Sequence, residues 1–94
     1  MGTHKPNDTE SYYNRGIAYY KKREHDKAIA DFSEVIKREP NHADAYYNRG
    51  NAYCDNVDFD ETIADFSIAV KLEPEYADAH GYRADLYHHN TISN

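Results

Sequence analysis

The chain of 94 residues contains an internal repeat with a period of 34. Residues 7–40 align with residues 41–74, and 17 of the 34 aligned positions are identical. The sequence Tyr-Tyr-Asn-Arg-Gly occurs at 12–16 and returns at 46–50, and both units end in Glu-Pro. A fixed period between about 20 and 50 residues is typical of stacked repeat proteins. The repeat therefore predicts a chain built from stacked copies of one small unit.

Each unit has the residue pattern of two helices joined by a short turn. In the first unit, apolar and small residues follow helical spacing over residues 9–22 and again over 26–38. Pro40 then prevents the second helix from continuing. The second unit repeats this plan over residues 43–55 and 60–72. We therefore predict an all-α fold, a solenoid of antiparallel helix pairs.

A glycine occurs inside the first helix of each unit. Gly16 in a helix interior costs about 1 kcal/mol relative to alanine, so its return as Gly50 needs a reason. The pattern predicts that the paired helix approaches too closely for a side chain to fit. The residues expected to form the stacked core are Tyr19, Ile29, Phe32, Val35 and Ile36, followed by Tyr53, Ile63, Phe66, Ala69 and Val70.

A weaker third copy of the unit begins at Glu75. Its residues 77–79 repeat the earlier Ala-Asp-Ala, and Arg83 and Tyr87 follow at the expected spacing. This copy extends over roughly one helix, which brings the expected total to about five helices. The predicted organisation is a disordered tail at 1–8, full units at 9–40 and 41–74, a partial third unit at 75–90 that acts as a capping helix, and a C-terminal tail at 91–94.

The charge balance argues against partners that are themselves anionic. Eleven Lys and Arg stand against seventeen Asp and Glu, and the net charge of −6 repels nucleic acid and anionic membrane surfaces. The single cysteine, Cys54, excludes an internal disulfide and is typical of a reducing compartment. We found neither an apolar run of membrane-spanning length nor the apolar stretch of a secretory signal. We therefore expect a cytoplasmic protein.

The repeated aromatic, glycine and proline positions resemble the tetratricopeptide repeat. That pattern has an aromatic residue, Leu-Gly and Tyr in its first helix, then Ala and Phe in its second helix, and a closing Pro. The matching residues are Tyr12, Gly16, Tyr19, Ala28, Phe32 and Pro40 in the first unit, and Tyr46, Gly50, Tyr53, Phe66 and Pro74 in the second. The resemblance spans nearly all of residues 9–89, as two full repeats and a partial third. It implies a right-handed α-α superhelix that serves as a protein interaction scaffold and not as an enzyme.

The turns between helices depart from the family pattern. Arg23 and Val57 stand where the family usually has glycine, which leaves the turn conformation open. In the second unit we expect Asn56 to adopt the left-handed conformation, because asparagine tolerates it better than other non-glycine residues. Thr62 also replaces the small alanine of the second helix.

Arginine replaces the family's leucine at three positions. Arg15 and Asp31 lie sixteen residues apart, and Arg49 and Asp65 repeat this spacing, while Arg83 occupies the same place in the third unit. Three arginines could clamp an acidic ligand. However, partly buried charges require partners, and matching aspartates are present. We therefore interpret the pattern as a ladder of ion pairs between helices, with the arginine stems packed on aromatic rings.

The resemblance implies that a partner binds on the concave face, which the first helix of each repeat lines. The positions carried over from the family as ligand-facing are Tyr13, Ile17, Tyr20, Tyr47, Asn48 and Asn51, together with the acidic Asp44, Asp78 and Asp85. Such a groove suits a peptide or protein segment that carries Lys or Arg and an apolar anchor, and it requires no cofactor. The alternative is that these residues form an ordinary solvated face.

Metal binding, catalysis and self-association are the alternative functions. Cys54, Asp55, His88 and His89 are candidate metal ligands, but adjacent helical residues point about 100° apart and no short ligand motif occurs. No phosphate-binding loop or catalytic motif is present, so we predict neither a metal site nor enzyme activity. Self-association is the main alternative, since a dimer would cover the unfinished C-terminal edge. We expect a monomer with a capping helix in preference to a homodimer.

Overall fold

The computed structural model describes residues 8–77, which form four α-helices and one short 3-10 helix. The helices are α1 Thr9–Lys21, α2 His25–Arg38, α3 Ala43–Asp55, α4 Phe59–Leu72 and the 3-10 helix Pro74–Tyr76. Each helix packs against the next one along the chain, and α1 also contacts α3. The predicted helical solenoid is therefore confirmed over the described residues. Most of the predicted fifth helix, at 75–90, lies outside them.

The first helix of each unit begins at a side-chain cap. The Asp8 carboxylate, at the end of the predicted tail, accepts a hydrogen bond from the Ser11 backbone N–H at 2.8 Å. At the start of α3, the Nδ1 atom of His42 accepts from the Ala45 N–H at 3.2 Å. Each bond satisfies one of the N–H groups that a helix start leaves without an internal partner.

The left-handed residue of the second turn is Val57 and not Asn56, so that prediction was wrong. Val57 has a φ of 64°, whereas Asn56 has a φ of −87°. The Val57 N–H donates to Cys54 and the Asp58 N–H donates to Tyr53, which is the hydrogen-bond pattern of a Schellman motif. That motif places the left-handed residue one position after the C-cap, and Asn56 is the C-cap.

Val57 holds the left-handed conformation of the second turn at a cost in stability. Valine is 67% exposed there, so its side chain contributes little packing to offset the left-handed backbone. Val57→Gly is expected to stabilise the fold by about 1 kcal/mol and raise the melting temperature by roughly 4–8 °C. The measurement is thermal unfolding followed by circular dichroism. Asn56→Gly is the control, and it should bring no gain because its φ needs no relief. A melting temperature unchanged by Val57→Gly would contradict the strain.

The core lies between the two helices of each unit. Phe32, Val35 and Phe66 are its largest fully buried side chains. A Cβ atom added at Gly16 would lie 2.7 Å from Phe32 Cε1, and one added at Gly50 would lie 2.6 Å from Phe66 Cε1. The predicted close approach of the paired helix is therefore confirmed.

Among the predicted core residues, Ile63 is an exception, because 41% of it is exposed. Its counterpart in the first unit, Ile29, is half-buried. The difference arises because α2 is packed between α1 and α3, whereas within residues 8–77 α4 packs against α3 and the 3-10 helix. The predicted core position is thus corrected to an exposed position on the outer side of α4. The other nine predicted core residues are buried or half-buried.

Candidate functional site

A forked ion pair joins the two helices of each unit. Arg15 donates from Nε and Nη2 to the two carboxylate oxygens of Asp31, both at 2.8 Å. Arg49 makes the same forked contact with Asp65, at 2.8 and 2.9 Å. The aspartates are 4% and 3% exposed, respectively. The predicted ladder is confirmed, and these two arginines are already engaged by carboxylates within the fold.

Aromatic rings enclose each arginine of the ladder. The Arg49 guanidinium lies 5.9 Å from the ring centre of Tyr46 and 5.7 Å from that of Tyr53, and the same arrangement recurs around Arg15. The hydrogen bonds that Arg49 donates to Asp65, aided by the negative charge of Asp65, raise the pKa of Arg49 above its ordinary value. Ion pairs and ring contacts therefore make these arginines structural.

Two hydrogen bonds tie α1 to α3 along the face that they share. Near the start of the helices, the Asn48 side-chain amide donates to the Tyr13 hydroxyl at 2.9 Å. Near their ends, the Tyr20 hydroxyl donates to the Asp55 carboxylate at 2.6 Å. Both bonds join residues 35 positions apart. The equal spacing shows that α1 and α3 run side by side in the same direction.

The tyrosines predicted to bind a partner also pack within the fold. The Tyr13 ring lies 5.8 Å from Phe32 and 5.0 Å from His42, measured between ring centres. The Tyr47 ring stacks at 5.4 Å on Phe66 and at 4.6 Å on Tyr76. Tyr13 and Tyr47 remain half-buried, so each ring keeps a surface that solvent can reach.

The remaining predicted site residues differ in their exposure. Ile17 on α1 and Asn51 on α3 are half-buried, and Asp44 in the first turn of α3 is exposed. The Oδ1 atom of Asn51 is buried and accepts no hydrogen bond from the part of the chain that the structure describes. Asp78 and Asp85 lie outside the described residues.

Two neighbouring cavities open at the N-terminal ends of α1 and α3. The first has a volume of about 350 Å³ and is lined by Thr9, Glu10, Tyr13, Asn14, Glu39, His42 and Asp44. The second has a volume of about 380 Å³ and is lined by Asn41, His42, Ala43, Asp44, Glu73, Glu75 and Tyr76. The cavities share His42 and Asp44. Neither lining, among the described residues, includes a Lys or Arg, and we call their five carboxylate residues, Glu10, Glu39, Asp44, Glu73 and Glu75, the acidic edge.

The acidic edge differs from the opposite end of the same helices. A third cavity of about 320 Å³ lies there, and its lining mixes acidic and basic residues. Within it the Lys27 ammonium lies 3.2 Å from the Glu24 carboxylate, so charges of the two signs offset each other. The linings of the two cavities at the acidic edge thus carry carboxylates without basic residues, whereas the lining of the third cavity carries both.

Neighbouring carboxylates raise the pKa of one residue of the acidic edge, Glu73. A hydrogen bond with Glu75, together with the negative charge of Glu75, raises the pKa of Glu73 above its ordinary value of 4.5, and the charge of Asp44 adds to the shift. Burial raises the pKa of the Tyr13 hydroxyl, and Asp44 adds to this shift, while the hydrogen bond with Asn48 opposes it. A cation placed here would relieve the repulsion between the carboxylates.

The model of the tetratricopeptide repeat matches residues 9–42 and matches again at residues 43–76. The chain belongs to the tetratricopeptide repeat family. A search of curated proteins found no significant match to this chain. Tetratricopeptide repeats act as scaffolds for protein–protein interaction.

Several residues of this site were not predicted from the sequence. Glu39 and Glu73 each precede the proline that closes a repeat, and we interpreted only the prolines. The return of a glutamate at the same place in both repeats was the signal that could have identified them. Glu75, Tyr76 and His42 carry no such signal, because their place at the cavities follows from how the second repeat meets the first.

Residues 8–77 contain neither a candidate metal site nor a candidate membrane span. No group of three or more His, Cys, Asp or Glu in this part of the chain is arranged to hold a metal ion. Of the earlier candidates, Cys54 and Asp55 are described, whereas His88 and His89 lie outside the described residues. None of the helices formed by residues 8–77 combines the length and apolar character that a membrane span needs.

Proposed function

We propose that the α1/α3 face of this repeat domain binds a peptide or protein segment that carries Lys or Arg side chains and an apolar anchor. The observation that carries the proposal is the pair of neighbouring cavities, whose described linings contain five carboxylates and no Lys or Arg. The negative field of the whole chain, with its net charge of −6, would steer such a segment toward the domain.

Aromatic rings beside the acidic edge suit a cationic side chain. Tyr13 lines the first cavity, and Tyr76 lines the second, where it stacks on Tyr47. A Lys or Arg that enters either cavity therefore meets a carboxylate together with a ring. A cation over an aromatic face gains about 0.5–1 kcal/mol at an exposed site, in addition to its attraction to carboxylates.

The middle of the α1/α3 face has room for contacts that are not ionic. Ile17 offers half-buried apolar surface on α1, which an aliphatic or aromatic anchor of the partner would cover. On α3, Asn51 holds a buried acceptor that receives no hydrogen bond from residues 8–77.

A binding measurement with matched peptides tests the proposal. The probes are labelled peptides of equal length that share a leucine anchor and carry Lys, Glu or Gln at the flanking positions. Fluorescence anisotropy should show binding of the Lys peptide and none of the Glu peptide. The double variant Asp44→Asn with Glu73→Gln should weaken binding of the Lys peptide roughly tenfold, because two charge contacts together contribute about 1.4 kcal/mol.

The control variant changes the net charge by the same amount, but at the opposite end of the helices. Asp60 and Glu61 are exposed in the first turn of α4, and neither lines the two cavities. Asp60→Asn with Glu61→Gln should leave the affinity for the Lys peptide within about twofold, since only the long-range field changes. Equal losses in both double variants would reject the acidic edge as the binding site.

The remaining expectations belong to the same proposal. We propose a binding module without catalytic activity, metal or cofactor, which does not bind nucleic acid or membranes and acts in the cytoplasm. The proposal includes a monomeric state. The alternative is self-association at the C-terminal edge, which the exposed Ile63 and Ile68 of α4 favour.

A further inference from the structure

The two cavities at the acidic edge are repeat copies of one another. The first opens at the start of α1 and the second at the start of α3, which runs beside α1 in the same direction. Four lining residues of the first cavity have their counterparts, 34 positions later, in the lining of the second: Thr9 and Ala43, Glu10 and Asp44, Glu39 and Glu73, and His42 and Tyr76. Each repeat therefore forms its own cavity from the same set of positions.

A pair of aromatic rings belongs to each cavity. His42 lies 5.0 Å from Tyr13 in the first repeat, and Tyr76 lies 4.6 Å from Tyr47 in the second, measured between ring centres. Each tyrosine also contacts a buried phenylalanine of its own repeat, which holds the ring in place. A cation that enters either cavity thus meets carboxylates beside an aromatic ring, and the arrangement occurs twice.

The packing of neighbouring helices sets the distance between the two cavities. α1 and α3 are joined by the hydrogen bonds of Tyr13 with Asn48 and of Tyr20 with Asp55. Packed helices lie about 8–10 Å apart between their axes, so equivalent points on α1 and α3 are separated by about 10 Å. A single ligand that occupies both cavities must therefore present two cationic groups at about this distance.

We propose that the acidic edge binds a polypeptide segment with two basic residues, Lys or Arg, at positions i and i+3, one side chain in each cavity. The inference rests on the proposed function and specifies its partner. A segment with one basic residue would fill one cavity and leave at least two carboxylates of the other without a cation from the ligand. Two cations match the duplicated cavities.

The spacing follows from the rise of an extended chain. A polyproline II segment rises about 3.1 Å per residue with three residues per turn, so residues i and i+3 lie on one side about 9 Å apart. On one side of a β-strand, residues lie about 6.6 or 13 Å apart, which fits less well. An α-helix would need positions i and i+7, about 10.5 Å apart, but a short segment is not helical in water and must be ordered on binding.

The test of the spacing is a series of labelled peptides of identical composition. Each carries a leucine, two lysines and otherwise glutamine, with the lysines adjacent, three residues apart or seven residues apart. Their net charge is the same, so attraction to the whole chain does not distinguish them. Fluorescence anisotropy should show the peptide with lysines three apart binding roughly tenfold more tightly than the other two, because only this peptide fills both cavities and its second contact is intramolecular.

Two matched double variants test whether each cavity takes one lysine. Glu10→Gln with Glu39→Gln removes carboxylates from the first cavity alone, and Glu73→Gln with Glu75→Gln removes them from the second alone. Each variant should weaken binding of the peptide with lysines three apart roughly tenfold, to the affinity of a single-lysine peptide. Each should change the affinity for the single-lysine peptide by about twofold at most, since the other cavity remains.

The outcomes separate this inference from the proposed function. Equal affinities for the three two-lysine peptides would overturn the spacing, while a preference of the acidic edge for Lys over Glu peptides would stand. Tightest binding of the peptide with lysines seven apart would also overturn it, because the bound partner would then be helical. If one double variant abolished binding of the single-lysine peptide and the other had no effect, only one cavity would bind a cation. If no lysine peptide bound, the proposed function would fail together with this inference.

Discussion

Phe66→Ala is expected to abolish the cooperative unfolding transition of this domain. The Phe66 ring is 1% exposed, stacks on Tyr47 with ring centres 5.4 Å apart, and lies against Gly50. Removing a buried phenylalanine costs about 3–5 kcal/mol, because the transfer free energy is lost and a cavity remains. A small domain has a total stability of about 5 kcal/mol, so the variant would be largely unfolded. Phe32→Ala should behave alike, since Phe32 is fully buried against Gly16.

The measurement is urea unfolding followed by circular dichroism and tyrosine fluorescence. Ile68→Ala is the matched control on the same helix, because Ile68 is 37% exposed and its removal leaves no closed cavity. The control should change the free energy of unfolding by less than about 1 kcal/mol. If Phe66→Ala and Phe32→Ala both unfolded cooperatively at a urea midpoint near that of the wild type, the assignment of these two residues to the core would be wrong.

Asp65→Ala is expected to lower the free energy of unfolding by about 3 kcal/mol. The substitution leaves Arg49 without the two carboxylate oxygens that it binds at 2.8 and 2.9 Å. The Arg49 side chain is 20% exposed, so water replaces the lost hydrogen bonds only in part. Removing one partner of a buried ion pair is strongly destabilising for this reason.

Asp31→Ala provides the internal comparison. Asp31 makes the same forked contact, but the Arg15 side chain is 56% exposed and water can solvate it after the change. The loss should therefore be smaller, at about 1–2 kcal/mol. The two variants differ in the environment of the arginine while the chemistry of the pair stays the same. Equal losses, or a larger loss for Asp31→Ala, would show that burial of the arginine does not determine the energy of these pairs.

Much of the candidate site could be predicted, because its residues lie at fixed positions of the 34-residue repeat. Tyr13 and Asp44, two predicted ligand-facing residues, line the same cavity. Because Tyr13 supplies an aromatic ring and Asp44 a carboxylate, the sequence was enough to predict a cationic partner. Glu75 and Tyr76 were missed, because they become neighbours of Asp44 only when Tyr76 stacks on Tyr47 of α3. That packing depends on the path of the chain after α4.

The sequence by itself determined the helix pairs, their number in residues 9–74, and the contacts within each pair. These features follow from the helical period, from the return of the whole unit along the chain, and from local chemistry such as Gly16 opposite Phe32. Only the tertiary structure decided which turn residue is left-handed, which side of α4 is exposed, and how Tyr13 and Tyr20 join the repeats. These features depend on which backbone hydrogen bonds form at the helix ends and on how neighbouring helices pack. The residue pattern within one helix specifies neither of these.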